Sequence, residues 1–379
     1  MLIFLTVISI VYFGLHFYVY KRLFNGLELS ADVLKYVRYL FWVGGVSFLL
    51  GEIIRRYWGI SFLVIFGVLW MGLIAIAFSV TVLKDISLLI LPLSPRNLSL
   101  IALVLIGCIS LYSLSNGPCY PRIKEITLDV NNMPAGLTEF RIVQISDTHL
   151  DGIKPVFWVE ELVRRVNSCR PDLIVITGDL IDHEMDKIRH YVPVLKRLTA
   201  PYGIFSVIGN HEYYAGLDNY HTFITECGFR DLSNQIYQVS PFLEIAGIPD
   251  PSHERPKNYE MLVSELLGKM DRTKLTIFLS HQPLYFATAA ENGTTLQLSG
   301  HTHAGQIPPM ELIVRLVFKY AYGLHKKYDS YIYTTCGSGF WGPPMRFLSR
   351  SEIVLFSLRP LKTTPQTSLG PLLKDGHAM

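Results

Sequence analysis

Apolar positions follow two regimes along this chain. Up to residue 121 they run in long uncharged blocks, and from residue 141 they come as short runs separated by amphipathic stretches. A bilayer-spanning helix needs about 20 mostly apolar residues. Residues 1–20, 57–83 and 97–121 contain no Asp, Glu, Lys or Arg, which predicts membrane helices at 2–20, 59–83 and 98–116. The block 39–51 has only thirteen uncharged residues and reaches Ile54 if Glu52 is tolerated. It predicts a fourth helix at 36–54, with a helix lying at the interface as the alternative. The first block has neither a basic start nor a small-residue cleavage site, so it reads as an uncleaved anchor rather than a signal peptide. A transmembrane region of three or four helices is therefore expected over residues 1–118.

The second regime predicts an α/β domain at 122–359. Residues 141–146, 172–177 and 203–208 read as buried strands. Between them, 156–168 and 186–198 have helical spacing, as in Trp158, Leu162, Val163 and Val166. That β-α-β-α-β order implies parallel strands. Further strands are expected at 275–280, 295–299 and 331–335, after a hairpin-like region near 236–248. Residues 360–379, containing Pro, Thr, Ser and Gly, predict a disordered tail.

Charge sharpens the division. Up to Pro121 there are eight Lys/Arg against four Asp/Glu, and from Arg122 onward 26 against 27. No dense Lys/Arg cluster of the kind a nucleic-acid groove needs is present. With four spans, Lys21, Arg22, Lys35, Arg38, Lys84 and Arg96 share one side, against Arg55, Arg56, Arg122 and Lys124. The positive-inside rule then leans towards an exterior catalytic domain. With three spans, Arg55 and Arg56 join the first loop and the same rule puts the domain inside. The ionisable residues Glu52 and His16 sit near span ends, which favours an anchor over a transport path. Cys108, Cys119, Cys169, Cys227 and Cys336 form no C-x-x-C, so neither a disulfide framework nor a zinc ribbon is expected.

The candidate chemistry lies at strand ends. Asp147-Thr148-His149 follows the first strand, Gly178-Asp179 the second, and Gly209-Asn210-His211-Glu212 the third. His281 follows 275–280, and Gly300-His301-Thr302-His303 follows 295–299. Residues at the carboxyl ends of several strands converge in space, and glycine lets the backbone turn sharply beside a crowded centre. Carboxylate and imidazole suit manganese, iron or zinc, and no thiolate is offered. A carboxylate can bridge two metals and an imidazole cannot, so one Asp is expected to be the bridge. Each motif alone is a common turn or a satisfied polar residue; the five together, in one order, are not.

These blocks resemble the calcineurin-like metallophosphoesterases, whose signature is D-x-H, G-D, G-N-H-[ED], H and G-H-x-H. All five blocks are present, over roughly residues 140–305. Gly305-Gln306 and the run Gly339 to Arg346 resemble a membrane-tethered bacterial branch that includes a UDP-diacylglucosamine hydrolase. The resemblance implies a four-layer sandwich of two mixed β-sheets flanked by helices, preceded by the all-α transmembrane region. It implies two divalent ions, manganese first, with zinc or iron as alternatives. Asp179 would bridge them; Asp147, His149 and His303 would complete one site, and Asn210, His281 and His301 the other. His211 would bind no metal and would assist the leaving group while hydroxide attacks. Glu212 either orients His211, faces solvent or caps, and Arg346 is a candidate phosphate fork, with a surface arginine as the alternative.

The expected function is hydrolysis of a phosphoester or pyrophosphate bond in a lipid-linked substrate at the membrane surface, such as UDP-diacylglucosamine or a phospholipid. Membrane lipids are the expected partners, and no obligate protein partner is implied. Residues 309–328 support the lipid: Leu312, Ile313, Leu316, Val317 and Tyr320 have helical spacing, with Arg315, Lys319, Lys326 and Lys327 nearby, as in a helix dipping into headgroups. A core helix is the alternative. Competing readings are a tethered broad-specificity phosphodiesterase acting on soluble or nucleotide esters, and a non-catalytic membrane scaffold.

Overall fold

The computed structural model describes residues 2–58, 62–152, 154–253 and 258–361. The chain opens with four helices: α1 (Leu2–Val19), α2 (Ala31–Trp58), α3 (Phe62–Ser87) and α4 (Pro95–Asn116). Among the described residues, Ala31–Gly51, Phe62–Ser87 and Pro95–Asn116 are long and apolar enough to cross a membrane. The short block 39–51 thus sits within a longer helix, which continues through its polar flanks. The start of α4 is set locally. Ser94 accepts the Asn97 N–H at 3.2 Å and Pro95 takes the first turn, where its missing N–H costs nothing. His16 is satisfied inside the bundle: Trp70 Nε1–H donates to its Nε2 at 2.9 Å, and its Nδ1 faces the Tyr12 carbonyl at 2.8 Å. At the polar end of the bundle Asp85 binds Arg22 at 2.7 Å and Lys84 at 2.8 Å.

Among the described residues twelve strands follow: β1 (Arg122–Val130), β2 (Phe140–Ile145), β3 (Leu173–Ile176), β4 (Ile204–Ser206), β5 (Arg230–Asp231), β6 (Gln235–Ser240), β7 (Leu243–Ile248), β8 (Leu275–Ser280), β9 (Leu296–Ser299), β10 (Gly323–Lys327), β11 (Ser330–Thr334) and β12 (Glu352–Pro360). They make two six-stranded sheets, ordered β1-β12-β2-β3-β4-β5 and β10-β11-β9-β8-β7-β6. Both are mixed: β12 is antiparallel to β2, β10 to β11 and β6 to β7, while the central pairs are parallel.

Alternation along the strands builds the layers. Ile142, Val175, Phe205, Ile277, Leu298 and Phe356 fill the space between the sheets. Their neighbours Val143 and Ile174 face outward onto Trp158, Leu162 and Val166 of α5 (Val156–Ser168). On the other face Ala246 and Phe278 meet Val263 and Leu267 of the helix Tyr259–Gly268. Helices, sheet, sheet, helices: the domain is a four-layer sandwich.

Three segments differ from the sequence expectation. The helix expected at 186–198 is broken into Met185–Ile188, a 3-10 turn Arg189–Tyr191 and Val192–Leu195; Pro193 has no N–H to continue a helical ladder. The amphipathic segment 309–328 is helical only over Met310–Val317. Phe318 is extended, and Gly323–Lys327 pairs antiparallel with β11; sheet pairing overrides the helical spacing there. The expected tail starts too early, since Pro360 still pairs with Val130; residues 362–379 lie outside the described residues.

The bundle and the sandwich are joined by the segment before β12. Met345 is buried among Val19, Leu23, Ile76 and Ala77 of the bundle, together with Ile307. A Cβ on Gly72 of α3 would stand 2.5 Å from Met345 Sδ and 3.0 Å from Pro343, so a larger residue there would have to displace Met345. Arg346 N–H donates to the Ser113 carbonyl at 2.9 Å, and Asn116 Nδ2 donates to the carbonyls of Arg346 and Ser349 at 3.1 and 2.9 Å.

Candidate metal centre

The ends of β2, β3 and β4 in one sheet and β8 and β9 in the other open on the same crevice. All seven expected ligands are brought together there. Asp147, His149 and His303 form one cluster, and Asp179, His281 and His301 another, with ligand atoms in each within 4.8 Å of one another. Asn210 joins the second: its Oδ1 is 3.0 Å from His301 Nδ1 and 3.2 Å from His281 Nε2. Asp179 lies between them, Oδ2 being 3.2 Å from His281 Nε2 and 3.9 Å from His149 Nε2.

The backbone is bent to make this happen. Asp147, His149, Asp179, His301 and His303 all have positive φ, between 47° and 70°. Residues other than glycine rarely adopt that conformation, and such strain gathers at functional sites where the surroundings enforce it. Part of the enforcement is Glu212, fully buried. Its carboxylate accepts the N–H groups of Asp179, Leu180, Ile181 and Gly209 at 2.7–3.2 Å. Burial and the Asp179 charge push its pKa up to about 7 against those donors. Glu212 therefore caps and ties two ligand loops, and Asp182 is the residue that orients His211. A Cβ at Gly209 would collide with the Asp179 carboxylate, which explains the glycine.

The donor atoms present themselves as a cation would require. His149 Nδ1 is 2.8 Å from Asp182 Oδ1 and His281 Nδ1 is 2.7 Å from the Thr177 carbonyl. Those acceptors take the Nδ1 protons and turn both Nε2 atoms inward; burial opposes a charge on His281, but the Asp179 carboxylate outweighs it and raises the His281 pKa well above the usual histidine range. Burial and the neighbouring His281 push His301 down to about 4, against the Asp250 and Asp179 charges. Burial, with His149 and Arg346 adding to it, holds His303 well below the usual histidine range. Both rings are thus kept neutral, the form that binds metals. Asp147 Oδ2 is buried without a hydrogen-bond partner, an expensive arrangement for a carboxylate unless a cation faces it. The residues present fit divalent ions.

His211 sits at the lip of the crevice. Its Nδ1 is 3.0 Å from Asp182 Oδ1, and its ring meets Trp341 at 5.9 Å and Tyr214 at 5.4 Å. Burial opposes a charge on it, but the Asp182 hydrogen bond and the charges of Asp179 and Asp182 outweigh that and raise its pKa. His211 also comes within reach of His149 and Asp179, although Asp182 already engages its Nδ1. Arg346 is placed otherwise than expected of a phosphate fork. It is fully buried, donating at 2.7 Å to the carbonyls of Cys336 and Gly339, with Nη2 3.2 Å from His303 Nδ1. Its guanidinium braces a ligand from behind.

Comparison with known proteins agrees with this geometry. The family model for calcineurin-like phosphoesterases matches residues 140–305. A metallophosphoesterase of Aquifex aeolicus is 35% identical over 242 residues, 63% of this chain and 92% of its own length. The chain belongs to the calcineurin-like phosphoesterase family. It is also 33% identical over 246 residues to a metallophosphoesterase of Helicobacter pylori, 64% of this chain and 65% of that one. A Danio rerio transmembrane protein with a metallophosphoesterase domain is 30% identical over 273 residues, 69% of this chain and 62% of that protein. The match therefore spans a little under two thirds of the length of the Helicobacter pylori relative. As a member of this family the chain carries one residue that motif reading passed over: Asp182, three positions after Asp179, which holds His149 and His211 at once. The short run Gly178-Asp179-Leu180-Ile181-Asp182 was its only signal.

Proposed function

We propose that this protein is a membrane-bound metallophosphohydrolase that cleaves a phosphoester or pyrophosphate bond of a lipid-linked substrate, UDP-diacylglucosamine or a phospholipid being the kind intended. The crevice supports phosphoester chemistry. Two divalent ions, manganese by preference, would supply nucleophilic water near neutral pH and neutralise phosphoryl oxygens when bound. Asp147, His149 and His303 would hold one ion, and Asn210, His281 and His301 the other, with Asp179 shared. His211, its proton favoured by Asp182, donates to the leaving oxygen.

One observation carries the lipid. The helix Met310–Val317 has no buried residue, and Leu312, Leu316 and Val317 are 68%, 87% and 66% exposed. Three residues earlier Ile307 is packed into the membrane bundle. That exposure counts against a core role for this helix and supports a reading in which a bilayer covers its apolar side chains. Exposed Arg315 and Lys319 suit anionic headgroups.

The test uses purified full-length protein with manganese on two substrates, a micellar lipid phosphate and bis-p-nitrophenyl phosphate. Turnover of both, with the lipid preferred by kcat/KM, is expected. Preference for the soluble diester would favour the tethered broad-specificity reading, and no turnover of either would favour the scaffold.

A further inference from the structure

A cavity lined by none of the candidate metal ligands lies where the bundle meets the sandwich. It has a volume of about 750 Å³, within the roughly 300–1,000 Å³ range of small-molecule sites. Val64, Ile65 and Val68 of α3 form one wall, and Phe157 and Trp158 at the start of α5 face them. Val64, Ile65 and Val68 belong to a helix long and apolar enough to span a membrane. Phe157 is 62% exposed, a large aromatic left open at the junction with the catalytic domain.

Among the other, mostly uncharged lining residues are three basic ones, Lys154, Arg165 and Arg350. Arg165 and Arg350 reach the cavity, with Asp151 as the acid among its lining residues. Arg165 lies over the Tyr120 ring at 5.6 Å and is tied to Glu161 at 2.7 Å, while Arg350 is exposed. Lys154, also lining it, is buried with its amine 2.6 Å from the Thr148 carbonyl, between the rings of Trp158 and Phe340. An apolar wall continuous with a membrane helix, ending in guanidinium groups, matches one class of occupant.

We infer that this cavity binds an anionic acyl lipid of the surrounding membrane, its chain against Val64, Ile65 and Val68 and its headgroup at Arg350 and Arg165. The inference rests on the bundle lying in a bilayer and is independent of which bond the metal centre cleaves. A lipid seated there braces Lys154 and Phe340. Lys154 holds the loop that carries His149, and Phe340 precedes the Trp341 that packs on His211.

The experiment uses full-length protein in detergent, titrated with phosphatidylglycerol or phosphatidylcholine while the melting temperature is followed. Bound lipid is also extracted after purification and identified by mass spectrometry. Phosphatidylglycerol is expected to raise the melting temperature more than phosphatidylcholine and to co-purify with the wild type. Val68→Trp, which fills the cavity, should abolish the shift and the co-purifying lipid. Arg350→Glu should remove the preference for phosphatidylglycerol, and it keeps the test intact if Val68→Trp fails to fold. Turnover of bis-p-nitrophenyl phosphate in Arg350→Glu should stay within twofold of wild type, which separates this result from any failure of the proposed hydrolysis. An unchanged shift in a folded Val68→Trp protein, or an undiminished phosphatidylglycerol preference in Arg350→Glu, would overturn the proposal.

Discussion

Asp182 accepts from two histidines with different tasks, His149 as an expected ligand and His211 as an expected proton donor. Asp182→Asn should thus weaken metal affinity about 10–100-fold, the usual cost of losing a residue behind a ligand, and lower turnover as well. Metal titration followed by assay at saturating manganese separates the two effects; normal affinity would show that Asp182 serves His211 alone. His211→Ala should retain its ions and lose about 10²–10⁴-fold in turnover of an alkyl phosphoester. The loss should shrink for p-nitrophenolate, which leaves without a proton. A variant slow because it has shed metal would make His211 a ligand. The seven ligand candidates were legible because their residue types recur after strands. The cap that Glu212 places on Gly209 was legible from its spacing, but Asp182 holding His149 and His211, and Glu212 reaching the Asp179 and Leu180 N–H groups, join loops more than 25 residues apart, and no spacing rule announces such contacts. Arg346 shows the same limit: its residue type suggested phosphate, and burial gives it to carbonyls instead.

At the scale of elements, periodicity marked the central strands and α5 well, since both faces of β3 are buried and α5 presents one apolar stripe. It was weaker where a proline or a partner strand decides the outcome, as in 186–198 and 318–327. The edge strand β1 shows little apolar alternation in its first half, and its pairing with β12 sets it. The helix Met310–Val317 permits a clean test. Replacing Leu316 and Val317 together with Asp should change stability by only about 0.5 kcal/mol per site, because both side chains are exposed. The same change should slow turnover of a micellar lipid phosphate and spare bis-p-nitrophenyl phosphate. Equal loss on both substrates would remove this helix from lipid entry.

Across the whole molecule, the helices and the sandwich are one packed unit rather than a domain on a tether. The segment 343–349 is held by α3 and α4 on one side, and its Arg346 lies against His303 on the other. Gly72→Leu would overpack the contact with Met345 and Pro343, a change that typically costs about 1–3 kcal/mol. A lower melting temperature together with a raised manganese requirement is expected, and a lower melting temperature alone would show that the bundle does not reach the metal centre. The sequence division into an apolar first third and a neutral remainder revealed the two parts, but not this junction, which depends on single glycines and backbone carbonyls. The central claim is a two-ion centre sharing Asp179. Elemental analysis of active, metal-replete protein tests it most directly. Two divalent ions per chain are expected, with Asp179→Asn losing more activity than any other single ligand substitution; one ion or none in the active wild-type protein would contradict the account.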